Sequence, residues 1–247
     1  MDIKQMFGFS FLKEVKWYEW VILGFFSIIQ IVIAFVSGND ALSSIINFLV
    51  YIFGLLYVMI ASFRSFWIFL IGFVQPILYA YVCYNAGLFG ELAINLIYFA
   101  PIQIVGLVLW LKNINNDKKI QQKDKVDVKI LSKKQILIGV PVYLVCWLSF
   151  TFILNLITTQ NLAVLDGLTS SMCILGTLLL TLRYVENWLV YIIANVLGLI
   201  LWIVTSFAGN LDGLSIASTF LAYLIVSVIG YLRWRKDFLN AKQDKIL

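Results

Sequence analysis

The chain contains no histidine. That removes the usual zinc ligand and the side chain that most often moves protons near neutral pH. Its three cysteines, Cys83, Cys146 and Cys173, stand far apart in or near apolar stretches. They offer neither a CxxC pair nor a disulfide framework. Charge is scarce: 13% of the residues are Asp, Glu, Lys or Arg, against about 25% in a soluble domain. There is no phosphate-binding glycine loop, nucleophile elbow or HExxH element. An intramembrane enzyme needs a nucleophile with its base, or several metal ligands, and neither set is at hand. The expectation is a non-enzyme with no cofactor and no metal. What the chain has in abundance is apolar surface, with 62% hydrophobic residues and a mean hydropathy of +0.95.

A membrane-spanning helix needs about 20 apolar residues. Eight stretches qualify: 20–37, 42–61, 66–84, 91–111, 135–158, 164–182, 187–207 and 212–232. They are too long and continuous for barrel strands, so the fold class is all-α and polytopic. Their connections alternate in charge. One set carries Lys4, Lys13, Lys16, Arg64, the loop 112–134 with eight lysines against three aspartates, Arg183, and the tail from Arg233. The other carries Asp40, Glu91, Asp166 and Asp212 without a cation. The positive-inside rule then puts both termini in the cytoplasm. It also accounts for the net charge of +5 without a nucleic-acid partner; the partner is the lipid bilayer. The start of the chain does not read as a signal peptide. Residues 1–16 read either as a frayed leader or as an interfacial helix with Phe7, Phe9, Phe11 and Leu12 toward lipid.

The sequence repeats itself weakly. Arg64 to Trp110 and Arg183 to Trp234 share glycine-containing turns followed by an acid, Glu91 or Asp212. Gly106 and Trp110 match Gly230 and Trp234 at equal spacing, Gly87 matches Gly209, and Trp67 is paired with Trp188. Both units have the same membrane sense, so one odd span must separate them. The expected organisation is a leader and extra helix over 1–38, a first three-helix bundle over 42–111, and a basic loop over 112–134. A linker helix over 135–158, a second bundle over 164–233 and a tail over 234–247 complete it. Parallel repeats of this kind point to a transporter with its site between the bundles.

Span centres hold no convincing fixed charge, which argues against an ion pathway. They hold amides and aromatic rings instead. Gln75, Asn95, Gln103, Asn155, Asn187 and Asn195 offer paired donors and acceptors. Trp67, Tyr79, Tyr98, Tyr143, Trp147, Trp188, Tyr191, Trp202 and Tyr223 offer flat faces. Trp188, Tyr191 and Asn195 fall on one helical stripe with Asn187 beside it. In the fourth span, Asn95 and Tyr98 share a face and Gln103 lies partly round from it. Such a lining suits a neutral or weakly charged heteroaromatic solute with hydroxyls. Each residue also has a plainer role. Tryptophans near span ends serve as interface anchors, expected for Trp17, Trp20, Trp110 and Trp234. Single amides glue helices together, expected for Gln30 and Asn47. Glu186 is expected to pair with Arg183, and Pro76 and Pro101 to kink their helices.

The stretch R-Y-V-E-N-W ending at Trp188, then Tyr191, Asn195, Trp202, a glycine turn and G-Y-L-R-W ending at Trp234, resembles the PnuC family of bacterial vitamin transporters. So do Trp67, Tyr79, the N-A-G-L-F-G-E turn ending at Glu91, and the run from Asn95 to Trp110. The resemblance covers roughly 42–236. It implies a SWEET-like three-plus-one-plus-three fold with an added N-terminal helix in the bacterial inner membrane. It implies facilitated diffusion of nicotinamide riboside, trapping by a cytoplasmic nucleoside kinase, and a homotrimer. The substrate region it implies comprises Gln103, Asn95, Asn187, Trp188, Tyr191 and Asn195. The family often has a tryptophan where this chain has Tyr191, which leaves riboflavin or thiamine open as the cargo. A substrate-binding subunit of an energised transporter, or a structural protein whose amides only glue helices, also stays open.

Overall fold

The computed structural model describes residues 9–36, 40–85, 89–116, 125–157, 163–207 and 212–243. A 3-10 turn, Ser10–Lys13, precedes α1 (Trp17–Val36), α2 (Ala41–Ser62) and α3 (Trp67–Asn85). Helix α4 runs through Phe89–Ile94, a π-helical turn Asn95–Phe99, and Ala100–Asn116. Then come α5 (Lys133–Ile157), α6 (Ala163–Thr181), α7 (Asn187–Phe207) and α8 (Asp212–Gln243). Among the described residues seven helices are long and apolar enough to cross a membrane, and α6 is a shorter apolar helix over Gly167–Thr181. The fold is all-α, as the hydropathy requires. Helix α8 continues beyond the expected end at 232, because R-W-R-K-D-F-L-N-A-K-Q has no breaker. The expected Gly87–Gly209 correspondence, Phe7 and much of the lysine loop lie outside the described residues, as do the side chains of Glu91, Asn155, Asp166 and Asp212.

Local chemistry sets the helix ends. Asp40 caps α2 by accepting the Ser43 N–H at 3.0 Å, and the Ser43 hydroxyl together with that N–H holds its carboxyl below the usual range. Ser132 and Gln135 form a reciprocal capping box at the start of α5. Pro101 has no N–H for the carbonyl four residues back, and the π turn directly before it absorbs that loss.

Helix α3 packs on both α2 and α4, and α7 on both α6 and α8; α8 also packs along α2, and α5 touches chiefly α6. Two tryptophans tie the groups together at the end that carries the cations. Trp110 Nε1 of α4 donates to the Thr181 carbonyl closing α6, and Trp234 Nε1 of α8 donates to the Ala61 carbonyl in the last turn of α2, both at 3.0 Å. Both rings are fully buried. They are inter-bundle ties and not the interface anchors their positions in sequence propose.

The short turns after α2 and α6 are built alike. Arg64 and Arg183 are the non-glycine residues with positive φ among those described, at 63° and 68°. The segment Lys125–Leu131 crosses both turns. Val126 N–H donates to the Arg64 carbonyl at 3.3 Å, Lys129 N–H to the Arg183 carbonyl at 2.8 Å, and Val185 N–H to the Lys129 carbonyl at 2.8 Å. Glu186 accepts the Leu131 N–H at 3.0 Å, so it fastens this segment, while Arg183 turns to the Asp127 carbonyl. The basic loop is thus partly a strap whose Val126 is buried in the core.

Of the described leader residues expected toward lipid, Phe9 and Leu12 are exposed and Phe11 alone turns inward. Phe11 is buried against Phe63, and Phe9 stacks on Trp67 with centroids 4.5 Å apart. Helix α1 is fixed at both ends, by Glu19 to Arg233 at 3.0 Å and by Gln30 to Ser215, Ser218 and Thr219. Gln30 is the helix glue the sequence proposes.

Candidate functional site

The sequence-derived residues fall into three places. The first is the closed, cation-bearing end. Asn187 opens α7, is fully buried, and donates from Nδ2 to the Tyr184 carbonyl at 2.6 Å. Trp188 follows it with 1% of its surface exposed. Its ring lies on Gly230, where an added Cβ would come within 2.6 Å, and meets Trp234 edge-on at 5.7 Å. Trp67 sits at the same end, stacked between Phe9 and Phe66. The register of the repeat needs correcting here. Phe69 and Trp188 each stand five residues after a turn arginine. Phe69 covers Gly106 and meets Trp110 edge-on at 4.9 Å, as Trp188 covers Gly230 and meets Trp234. Phe69, not Trp67, is the counterpart of Trp188.

The second place is the far end of α7. Trp202 is half-buried and gives its carbonyl to Ser206 Oγ at 2.6 Å. A Cβ on Gly213 would come 3.2 Å from that carbonyl. Trp202 helps close the α7–α8 hairpin, at the opposite end of α7 from Asn187.

The third place lies between the two helix groups, inside the bilayer-spanning region. Tyr191 is one turn into α7, about 6 Å from Asn187 along the axis, and its hydroxyl meets Thr177 of α6 at 2.9 Å. Asn195, a further turn in, is buried and donates to Ser227 of α8 at 3.2 Å. From the other side, Tyr98 donates across the gap to the Ile174 carbonyl of α6 at 2.7 Å. Gln103 is buried in α4; its Nε2 donates to the Phe99 carbonyl at 3.1 Å. Its Oε1 is buried and accepts no hydrogen bond from the described residues. Asn95 is buried in the π turn, and Gln75 and Tyr79 are half-buried in α3.

One tyrosine of this centre is not among the residues the sequence singles out, and a second stands there only as one of the span aromatics. Tyr57 of α2 places its ring on Gly72 of α3 beside Gln103 Oε1, and its side chain reaches Gln103 and Tyr191. Tyr223 of α8 crosses to α2, with its hydroxyl on the face of Gly54 next to Gln75. Glycines were the available signal. Gly54, Gly72 and Gly176 sit inside spans and leave room for tyrosine rings from neighbouring helices, but a helical period alone cannot name the ring that fills such a gap.

This centre has a definite chemical character. Its groups are hydroxyls, amides and aromatic faces. Among the described residues, Arg64, Lys125, Arg183 and Arg233 belong to the turns, the strap and the basic end of α8, and three of them are ion-paired there. No trio of His, Cys, Asp or Glu able to hold a metal occurs among the described residues. An orphaned amide oxygen beside tyrosine rings fits an uncharged or cationic aromatic solute that can donate a hydrogen bond. A phosphate would enter without a partner for its charge.

A family profile described as "Nicotinamide mononucleotide transporter" matches residues 44–236. A protein of Haemophilus influenzae named as a nicotinamide riboside transporter, PnuC, is 30% identical over 227 residues, covering 92% of this chain and 93% of that protein. One of the same name from Neisseria mucosa is 33% identical over 175 residues, covering 68% of this chain and 63% of that protein. A crystal structure of "the Vitamin B3 transporter PnuC" superimposes with a TM-score of 0.75 at 30% identity, over 96% of this chain and 97% of that one.

Proposed function

The chain belongs to the PnuC transporter family, and we propose that it carries nicotinamide riboside inward across the bacterial inner membrane by facilitated diffusion. The observation that supports this cargo is the buried, unpartnered Oε1 of Gln103 among Tyr57, Tyr98 and Tyr191. The family description names the mononucleotide, whereas the relatives are named for the riboside. The lack of a cation at this depth among the described residues favours the riboside. Its pyridinium ring is a cation that tyrosine faces attract, by about 0.5–2 kcal/mol, and a phosphate brings negative charge that nothing there would neutralise.

In this reading the basic end faces the cytoplasm with both termini. The bundles over 42–111 and 164–233 rock about the centre, and the helix over 135–158 links them. Gln103, Asn95, Tyr98, Tyr191, Asn195, Gln75 and Tyr79 bind the solute. Asn187 and Trp188 close its cytoplasmic side in the arrangement described, and Trp67 and Trp202 act at the two ends of the path. A cytoplasmic kinase phosphorylates the riboside and so traps it, because the product no longer suits an uncharged site. The working form is a homotrimer.

Calorimetry on the purified protein tests the cargo. Micromolar binding of the riboside with none of the mononucleotide is the expected result, and Gln103→Ala should weaken riboside binding tenfold or more, the equivalent of about 1.4 kcal/mol. Binding of riboflavin or thiamine without the riboside would move the chain to another vitamin. Uptake by liposomes containing only this protein tests the mechanism; strict dependence on an added energising subunit would overturn facilitated diffusion.

A further inference from the structure

Counted from the two turn arginines, the repeat exchanges a tyrosine and a glycine. Seven residues before Arg64 stands Tyr57, and seven before Arg183 stands Gly176. Eight residues after Arg64 stands Gly72, and eight after Arg183 stands Tyr191. In the first group the α2 tyrosine lies on the α3 glycine, where an added Cβ would come 2.5 Å from the Tyr57 ring. In the second the α7 tyrosine lies on the α6 glycine, where it would come 2.8 Å from the Tyr191 ring. Each helix pair therefore packs one tyrosine on one glycine, but the helix that supplies the ring changes over. Both rings end in the same layer, and the side chain of Tyr57 reaches that of Tyr191 across the gap.

Tyr191 is engaged with Thr177 at 2.9 Å, and Tyr98 with the Ile174 carbonyl at 2.7 Å. The Tyr57 side chain reaches both Gln103 and Tyr191, and its ring and the orphaned Oε1 of Gln103 lie over the same face of Gly72. A solute group that enters here meets an unmet acceptor with a phenol beside it. That group must donate to Oε1 and accept from the phenol, and a ligand hydroxyl does both.

We propose that Tyr57 is a specificity-determining residue: with Gln103 it selects a ribosyl hydroxyl of the solute, and Gly72 holds it in place. This rests on the transport reading above and adds the recognition of a hydroxyl to it. Gly72→Ala should disturb the same contact with Tyr57 intact, since the new methyl meets the ring.

The experiment is calorimetry of wild type and Tyr57→Phe with nicotinamide riboside and with its 2′-deoxy and 3′-deoxy analogues. Phenylalanine keeps the packing on Gly72, so an unchanged melting temperature is expected. Tyr57→Phe should bind the riboside at least tenfold more weakly, and for one deoxy analogue the two proteins should bind alike. Equal riboside affinity overturns the role of Tyr57 while the cargo stands. An equal loss on the riboside and both analogues also overturns it, because the effect then ignores the hydroxyl. If wild type binds riboflavin in place of the riboside, the cargo is wrong. The comparison then uses riboflavin against lumichrome, which lacks the hydroxylated chain, with the same expectation. Binding of no vitamin removes both.

Discussion

Trp188→Ala should destabilise the protein by about 3–5 kcal/mol, the range for emptying a buried aromatic site. A thermal melt in detergent would read this as a marked fall in Tm. The argument is one of packing. Trp188 is 1% exposed, lies on Gly230, meets Trp234 edge-on, and belongs to the same buried cluster as Trp110, Phe63, Phe66 and Phe69. Removing the indole opens a hole where both inter-bundle tryptophans converge, and lipid cannot enter to fill it. Gly230→Leu should act in the opposite sense on the same contact, since even a Cβ would come within 2.6 Å of the ring; overpacking of this kind costs about 1–3 kcal/mol. Trp188→Phe should be much milder, because Phe69 fills the matching place over Gly106. A melt of Trp188→Ala equal to wild type would show the ring to be unpacked. A loss of vitamin binding in Trp188→Ala is therefore not evidence of direct contact unless the melt is unchanged.

That case shows where the sequence is readable. Span number and the all-α class follow from hydropathy and charge, since lipid leaves the backbone no other means of satisfying its polar groups. Amides at membrane depth are also legible: Gln103, Asn95 and Asn195 are all buried. Depth along a helix is less so. Asn187 and Trp188 share a face with Tyr191 and Asn195, but a stripe says nothing of which part of it lies at a packed end. Trp110 and Trp234 read as interface anchors because a tryptophan at a span end has two destinations, headgroups or a neighbouring helix, and only the neighbour decides. Tyr57 goes unnamed, and Tyr223 is named without its place at the centre, for a related reason. Each fills a gap left by a glycine on another helix, a non-local fact that no window of sequence contains. The Trp67–Trp188 pairing failed because like residues were matched, whereas the structure matches like places: a ring over a glycine, five residues past a turn arginine.

The second large effect is expected at the other end of that cluster. Arg233→Ala should cost about 3–5 kcal/mol, the range for breaking a buried ion pair from one side. Glu19 is 3% exposed and meets Arg233 at 3.0 Å, with its second oxygen taken by the Lys16 N–H at 2.9 Å. The guanidinium also bonds Ser62 and lies 4.0 Å from the centre of the Phe63 ring. Arg233 therefore joins α1, α2 and α8 at one point, one residue before the Trp234 tie to Ala61. Truncation leaves the Glu19 carboxylate buried without its cation, and that desolvated charge is the source of the loss. The double replacement Glu19→Gln, Arg233→Met removes both charges and keeps volume, so it should melt near wild type. A large deficit in Arg233→Ala that persists undiminished in the double variant would assign the effect to lost packing on Phe63. Recovery in the double variant would establish that the leader helix is held by a charge pair whose partners must be changed together.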